Sequence, residues 1–280
     1  MELVDVHFSY PEAVEPALAG VSLTLRRGEL VGLIGQNGSG KTTLARHLNG
    51  LLQPTSGAVL VEGADIRGVE PGRLAATVGY VFQNPDHALF LTSVRAEVEY
   101  GLGLQGLDQE EVTARAEAAM RRFGIYERAE RHPASLGRGW RRLIVLAAAD
   151  ALEPDLLVLD EPTGGLDRRL TAELMARLEQ VVAEGRCVLL ISHDMQLIAD
   201  HCSRVVALHA GRLAGDGTPR AIFGQSELLD RIGIARPQIG RLARRLEGRG
   251  IDRGIVATGD LAGAIVARVR AADAASRRGR

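Results

Sequence analysis

Residues 35–42 read GQNGSGKT and follow directly on the apolar run LVGLIG at residues 30–35. The spacing matches the motif G-x-x-x-x-G-K-[ST]. This motif forms a loop between a strand and a helix, and the main-chain amides of the loop surround phosphate groups. Lys41 is the only lysine among 34 basic residues, so a chain that otherwise uses arginine keeps an ammonium at this one position. We therefore predict a nucleotide-phosphate site in which Lys41 bridges the β- and γ-phosphates and the Thr42 hydroxyl ligates Mg²⁺.

A second apolar run, LLVLDE at residues 156–161, ends in two adjacent acids. It predicts a buried strand, on which neighbouring side chains diverge. We expect Asp160 to serve the Mg²⁺ shell, and Glu161 to face the γ-phosphate and polarise an attacking water. Capping of the helix after Pro162 is the structural alternative for both acids, but the phosphate loop upstream favours the functional one.

Strand and helix patterns alternate around these two runs. Alternation over the first 25 residues predicts an antiparallel entry, and further strands are predicted at residues 58–62, 78–82, 188–192 and 205–209. A helix should run from Lys41 to about Leu51. Between residues 84 and 149 only helices are predicted, at residues 93–104, 109–123 and 141–152, which indicates a helical subdomain inserted into an α/β sheet domain. After residue 217 the pattern is helix and turn, with helices near residues 237–246 and 260–272.

Composition restricts the possible functions. A formal charge of −1 gives no overall electrostatic basis for nucleic-acid binding. The apolar runs are shorter than the roughly 20 residues that cross a bilayer, and no signal peptide is evident, so we expect a soluble cytoplasmic protein that reaches a membrane through a partner. Residues 231–280 hold 12 arginines against 4 acids. This excess fits either a solvated basic surface or a contact with phosphate or lipid headgroups.

Further motifs make the chain resemble ABC transporter nucleotide-binding subunits over residues 1 to about 220. Gln83 in VFQNPD at residues 81–86 is similar to the family's Q-loop glutamine, and GLD at residues 165–167 is similar to its D-loop. His193 is similar to the switch histidine, and Tyr10 to the aromatic residue that stacks on adenine. The resemblance implies a P-loop NTPase sheet core, an N-terminal antiparallel β subdomain, the inserted helical subdomain and a small, mainly helical C-terminal extension.

One candidate site follows from the residues and the resemblance together, with ATP and Mg²⁺ as its ligands. The expected catalytic residues are Glu161, His193 and Gln83, and the expected metal ligands are Thr42, Gln83 and Asp160. The expected nucleotide contacts are Tyr10, Gly35, Gln36, Asn37, Gly38, Ser39, Gly40, Lys41, Thr42 and Thr43. We expect an ATPase domain over residues 1–220, with its helical subdomain at about 84–150, and an extension over residues 221–280 for which dimerisation is one interpretation.

Within that family, residues 82–90 (FQNPDHALF) and the extension are similar to energy-coupling factor (ECF) ATPases, which power uptake of vitamins and of cobalt or nickel. This resemblance implies a transmembrane T-component, a substrate-binding S-component and a second ATPase subunit as partners. It places the chain peripherally on the cytoplasmic face of the cell membrane, and no nucleic acid is expected as a partner.

The chain departs from the family at the signature sequence, LSGGQ, which aligns with LGRGW at residues 136–140. In family dimers each ATP lies between one subunit's phosphate loop and the other's signature. Gly137 has no hydroxyl, and Arg138 puts a large side chain where close backbone approach is needed. We therefore expect a heterodimer, in preference to a homodimer, with unequal ATP sites. Arg138 could instead act as an arginine finger, and Trp140 either stacks on a neighbour or covers the helix start.

Two other functions fit parts of the sequence. A soluble ABC ATPase of DNA repair or translation usually carries two cassettes or a long coiled-coil insertion, and neither is visible in these 280 residues. A regulatory subunit that holds ATP without hydrolysing it is favoured by the altered signature but opposed by Glu161 and His193.

Overall fold

The structure is a computed structural model that describes residues 1–278, so Arg280, the last arginine of the basic C-terminal segment, lies outside the described residues. The strands are β1 Glu2–Phe8, β2 Leu18–Thr24, β3 Leu30–Ile34, β4 Ser56–Val61, β5 Ala64–Asp65, β6 Val78–Val81, β7 Leu156–Asp160, β8 Cys187–Ile191, β9 Arg204–His209 and β10 Arg212–Gly217. The helices are α1 Lys41–Leu48, α2 Pro71–Leu74, α3 Val94–Gly103, α4 Gln109–Arg122, α5 Arg138–Ala151, α6 Arg168–Ala183, α7 Met195–His201, α8 Pro219–Gly224, α9 Ser226–Arg231, α10 Gln238–Arg245 and α11 Thr258–Arg278.

A mostly parallel sheet forms the centre of the fold, in the strand order β10-β9-β3-β8-β7-β6. β3, β7 and β8 are buried at every position because each is a continuous apolar run covered on both faces. These strands run parallel to β6 and β9, and β10 returns antiparallel to β9. The carboxyl ends of β3 and β7 therefore open at one edge of the sheet, where α/β proteins commonly bind ligands.

A second, antiparallel sheet of order β2-β1-β4-β5 covers the other side of α1. Its inward residues, such as Leu3 and Val21, share a core with Leu44 and Leu48 of α1 and with β3. The alternating pattern at the N-terminus is thereby confirmed as an antiparallel entry. Together the two sheets confirm the predicted α/β fold class.

Helices α3, α4 and α5 fill the interval between β6 and β7. Ser93 and Asp108 cap the first two by accepting hydrogen bonds from Ala96 N and Glu111 N. The helices pack on a shared apolar core that includes Met120, Phe123 and Leu146. These helices occupy the interval for which the sequence predicts an inserted subdomain; its limits at residues 84 and 150 stay a prediction.

Three local features differ from the sequence-based expectations. Helix α5 begins at Arg138, not 141, because Gly137 has extended backbone angles (φ −63°, ψ 159°) and forms the N-cap, so the altered signature makes the first helical turn. Helix α1 ends at Leu48 instead of about Leu51, where the backbone turns at Gly50 (φ +72°). β10 was not expected because its two glycines and its aspartate interrupt any apolar alternation.

Residues after β10 pack against α7 and the phosphate loop. Gln196 of α7 donates to Val256 O (3.1 Å) and accepts from Ile239 N (3.0 Å), and Thr258 Oγ1 donates to Asp200 (2.8 Å). On the other side, Gln36 Nε2 lies 3.5 Å from Gly233 O. Across residues 1–278, no helix is both long enough and apolar enough for a membrane span.

Candidate functional site

The loop between β3 and α1 closes tightly on the end of β9. A Cβ on Gly35 would lie 2.3 Å from Leu208 O and 2.5 Å from Ser39 Oγ, so only glycine allows this approach. Lys41, the first residue of α1, is 7% exposed, and its Nζ donates to Gly35 O and Gln36 O, both at 2.8 Å. The ammonium group is therefore held inside the loop.

Burial lowers the pKa of Lys41, and the nearby carboxylates of Asp160 and Glu161 oppose that shift. Because the ammonium is poorly solvated, an anion that reaches it gains more than it would beside a solvated lysine. Together with the main-chain amides at the start of α1, Lys41 makes this loop suited to a polyphosphate.

Both acids at the end of β7 line the same cleft as Lys41. Glu161 lies just beyond the strand with a left-handed φ of +50°, so a turn, and not strand alternation, sets the direction of its side chain. Thr42 Oγ1 donates to Asp160 Oδ2 at 3.2 Å. Burial raises the pKa of Asp160, against the lowering effects of Thr42 and Lys41.

Glu161 Oε1 is buried and has no hydrogen-bond partner among the described residues. His193, which follows β8 and is half-exposed, places Nε2 3.6 Å from that oxygen. Burial raises the pKa of Glu161, although His193 partly counteracts it. A carboxylate with a raised pKa and a free oxygen can accept a proton from a bound water.

The cleft has a volume of about 430 Å³ and contains most of the predicted residues. Those that line it are Tyr10, Asn37, Gly38, Gly40, Lys41, Thr42, Thr43, Gln83, Asp160, Glu161 and His193. Tyr10 lines the same cleft, with its hydroxyl 3.2 Å from Thr43 Oγ1. The structure thus brings together residues from five separate parts of the sequence.

Three predicted contacts lie outside the cleft wall. Gly35 and Gln36 supply carbonyl oxygens to Lys41, and the Gln36 side chain turns away toward Gly233. Ser39 is buried behind the loop. Conversely, Glu15, Pro16, Ala17, Ile191 and Ala210 line the cleft without having been predicted. All but Ile191 lie in turns or loops, so no sequence periodicity indicates them.

The three residues predicted to bind Mg²⁺ fit that ion by type, and Thr42 and Asp160 also fit it by spacing. Thr42, Asp160 and Gln83 offer the oxygen ligands that Mg²⁺ prefers. Adjacent ligand oxygens around an octahedral Mg²⁺ lie about 2.9 Å apart. The observed 3.2 Å between Thr42 Oγ1 and Asp160 Oδ2 is close to that separation.

The residues of the altered signature are not among those that line the cleft. Gly137 and Arg138 are exposed, and Arg138 makes no ion pair or side-chain hydrogen bond to any residue that the structure describes. The Arg128 guanidinium stacks 3.7 Å from the centre of the Trp140 ring. This contact favours packing of Trp140 on its own chain over stacking on a neighbour.

An apolar groove runs beside Gln83, between β6, α3 and α5. Phe82 and Phe90 are 37% and 66% exposed, and the Phe90 and Tyr100 rings lie 5.1 Å apart in an edge-to-face arrangement. Glu97, itself buried, accepts hydrogen bonds from Phe90 N and Leu91 N, both at 2.6 Å. These aromatic side chains therefore form an ordered apolar surface of the kind that binds partners.

Comparison with known proteins gives consistent matches. The family model for ABC transporters matches residues 18–164. A relative from Methanosarcina acetivorans, whose name places it among ABC transporter ATP-binding proteins, is 41% identical over 236 residues, or 84% of this chain and 38% of the relative. The chain thus spans about two fifths of that relative's length.

A relative of more similar length is the energy-coupling factor transporter ATP-binding protein EcfA of Methanothermobacter thermautotrophicus. It is 37% identical over 254 residues, which cover 90% of this chain and 81% of that protein. Among solved structures, cbiO1 from Clostridium perfringens, described as part of the ABC transporter complex cbiONQ, matches with a TM-score of 0.74 and 30% identity, covering 87% of this chain and 98% of that one.

Proposed function

The chain belongs to the ABC transporter family, and from that premise we propose that it binds and hydrolyses Mg²⁺–ATP to energise a membrane importer of the energy-coupling factor type. The observation that carries this proposal is the cleft, where Lys41, Thr42, Asp160, Glu161 and His193 meet at one edge of the sheet. A plain binding protein would not need a buried carboxylate with a free oxygen beside a phosphate loop.

We assign the nucleotide an orientation along the cleft. The Tyr10 ring would stack on adenine, and residues 35–43 would surround the phosphates through main-chain amides and Lys41. Thr42, Asp160 and Gln83 would hold Mg²⁺, which when bound neutralises charge on the phosphates. The hydrogen bond between Tyr10 and Thr43 connects the base end of the site to the phosphate end.

For hydrolysis, Glu161 would accept a proton from the water that attacks the γ-phosphorus. Its raised pKa and free Oε1 support this role. His193 would then contact the γ-phosphate beside Glu161, since its Nε2 is 3.6 Å from that carboxylate. A water held by Glu161 between these groups would need little further ordering to react.

The partner at the membrane would use the apolar groove beside Gln83. We propose that the transmembrane T-component inserts an apolar segment against Phe82, Phe90 and Tyr100, and that an S-component recognises the solute, a vitamin or a transition-metal ion. Because Gln83 lies next to both the groove and the cleft, closure around ATP would move the partner. The chain would then be peripheral, on the cytoplasmic face.

The second ATPase subunit would complete each site. This chain would contribute an active phosphate-loop half, and its exposed Arg138 and Gly137 would face the partner's nucleotide, so the two ATP sites would be unequal. Residues 1–220 would form the ATPase domain, with the helical subdomain at about 84–150. Residues 221–280 would support dimerisation, for which the exposed Leu242, Ile265 and Val266 are candidate contacts.

Purification from detergent-solubilised membranes tests the transport assignment. We expect this chain to co-purify with integral membrane proteins and a second ATPase, in a complex that hydrolyses ATP. A chain that stays in the soluble fraction and hydrolyses ATP without partners would identify the soluble ABC ATPase alternative. A complex that binds ATP with no turnover would identify the regulatory one.

Single-turnover hydrolysis in the same complex tests the unequal sites. Replacing Lys41 should abolish most of the hydrolysis, whereas replacing the phosphate-loop lysine of the second ATPase should leave most of it. Equal losses from the two replacements would contradict the asymmetry.

A further inference from the structure

Arg142 on α5 is the bulkiest fully buried side chain in the described chain, with 2% exposure. Its guanidinium pairs with no carboxylate among the side chains described, those of residues 1–271, and its hydrogen bonds go to main-chain carbonyls. Burial lowers the pKa of Arg142 and Arg138 adds repulsion, while the Glu161 carboxylate, although it does not pair with Arg142, opposes both effects. Burying an arginine without an anionic partner is costly, so its position calls for an explanation beyond packing.

The two carbonyls belong to residues of the proposed ATPase site. Nη1 donates to Glu161 O, and Nη2 donates to Gln83 O at 2.8 Å. Glu161 and Gln83 lie just past the carboxyl ends of β7 and β6, which are paired in parallel. The planar guanidinium, with donors fixed in a fork, can span two such acceptors, which a lysine cannot do with the same geometry.

The contact with Glu161 involves the backbone and leaves the carboxylate free. Glu161 has φ +50°, a left-handed conformation that is strained for a residue other than glycine. Its N–H donates to Ile191 O at 2.9 Å, and its carbonyl accepts from Gly164 N at 3.3 Å as well as from Arg142. Arg142 therefore helps to fix the direction of the side chain while Oε1 keeps no partner.

The same helix carries the altered signature. Arg142 lies one turn after Arg138, so both side chains project from one side of α5. The neighbouring Arg141 pairs with Asp86, with Nη1 2.7 Å from Oδ1. Two consecutive arginines thus attach the segment that contains Gln83 and Asp86 to the first turns of α5.

We propose that Arg142 is a positioning residue for ATP hydrolysis that fixes the backbones of Glu161 and Gln83 relative to each other. It also connects both residues to α5, whose first turn would face the partner subunit's nucleotide. This inference rests on the proposed function, in which Glu161 activates the water. It adds a series of contacts within one chain, from the altered signature at residues 136–140 to the chain's own catalytic carboxylate.

The test measures turnover and ATP affinity separately in the complex purified from membranes. Arg142→Met, which keeps the volume and removes the donors, should lower kcat by roughly tenfold to a hundredfold while the Kd for ATP stays within about threefold, because misplacing a reacting group slows chemistry more than binding. Arg142→Lys, which can satisfy one carbonyl, should recover part of the loss. Arg177→Met is the matched control, since Arg177 on α6 is also largely buried but pairs only with Glu173.

A double variant distinguishes positioning from a general loss of stability. If Arg142 acts through Glu161, Arg142→Met should cause little further loss in a Glu161→Gln background. An equal loss in both backgrounds, or an unchanged kcat for Arg142→Met beside an active wild type, would overturn the proposal. If Arg142→Met does not accumulate, wild-type kcat in Arg142→Lys would overturn it equally. A wild-type complex with no ATPase activity would refute the proposed function itself.

Discussion

This chain keeps the family's residues at the phosphate loop and the acids beside it (residues 35–42, Asp160 and Glu161), here called the phosphate-loop edge. It has lost them at the signature (residues 136–140), here called the signature edge. At the first, Lys41 is buried against two carbonyls and Glu161 keeps a free oxygen beside His193. At the second, Gly137 and Arg138 are exposed at the start of α5. Both edges are well-formed structurally, since α5 begins with a regular extended N-cap.

What differs is the chemistry that each edge can present to a nucleotide. The phosphate-loop edge offers main-chain amides, an ammonium and carboxylates. The family's signature has a serine hydroxyl and a glycine whose backbone can approach the nucleotide closely. The signature edge of this chain has Gly137 and the Arg138 guanidinium at those two positions. In the heterodimer proposed above, this chain would retain its own catalytic half and lose the family's usual means of completing its partner's.

Glu161→Gln should lower steady-state turnover of the complex by about 10²–10⁴-fold, because general-base catalysis contributes on that order. ATP binding, followed by calorimetry, should persist because the amide keeps the shape of the carboxylate. Glu173→Gln on the surface of α6 is the matched control. Turnover near the wild-type level would show that the phosphate-loop edge does not depend on this carboxylate.

Lys41→Arg should lower turnover by roughly 10²–10³-fold even though it keeps the charge. The ammonium sits between Gly35 O and Gln36 O in a space that a planar guanidinium does not fit. Lys41→Met, measured in the same ATPase assay, should show a similar loss. Wild-type rates with Arg at this position would show that the site does not require an ammonium.

Restoring the signature with Gly137→Ser, Arg138→Gly and Trp140→Gln should increase hydrolysis at the partner's phosphate loop and at most about double the total, since a second site becomes competent. Loss of the Arg128–Trp140 contact should cost about 0.5–1 kcal/mol of stability, which thermal unfolding can measure. A fall in total activity would instead support Arg138 as a residue that assists the partner's nucleotide.

Glu161→Gln should also raise the melting temperature of the nucleotide-free chain at neutral pH. The folded-state pKa of Glu161 is raised, so the folded protein holds this proton more tightly than the unfolded chain. The resulting destabilisation is absent below the unfolded-state pKa of about 4.3, grows as the pH rises from there toward the folded-state pKa, and is complete above it. Thermal melts of both proteins should therefore converge at low pH, and a pH-independent gap would contradict this cause.

Tyr10→Phe should have the smallest effect. It removes the hydroxyl contact with Thr43, worth about 0.5–1.5 kcal/mol in a typical case, and keeps the ring for stacking. Tyr10→Ala should weaken ATP binding further, by about 1–3 kcal/mol if the ring stacks on adenine. Equal affinities for the Phe and Ala variants in calorimetry would argue against stacking.

The sequence predicts the phosphate-loop edge well because a short motif indicates the local backbone conformation. The glycine and lysine spacing places residues 35–42 at a strand end, and the apolar run before Asp160 identifies the neighbouring strand. His193 and Gln83 also lie at strand ends, so a parallel sheet brings all of them to one edge.

Contacts between distant parts of the chain could not be predicted in this way. Nothing in the pattern of α5 indicates that Arg142 reaches Gln83 O and Glu161 O, because an arginine at a helix start usually projects into solvent. The start of α5 at Arg138 depends on the backbone angles of Gly137, which the letters do not encode. The turn at Glu161 likewise replaces the strand alternation on which its direction was argued.

The contact between Gln36 and Gly233 joins the phosphate loop to chain nearly two hundred residues downstream. Gln196 and Asp200 also form hydrogen bonds with residues after 220. A protein that ends at residue 220 would therefore leave these polar groups without partners that the intact chain supplies. Assays on such a shortened cassette would report a loosened loop and not the native enzyme, so kinetic work should keep the whole polypeptide.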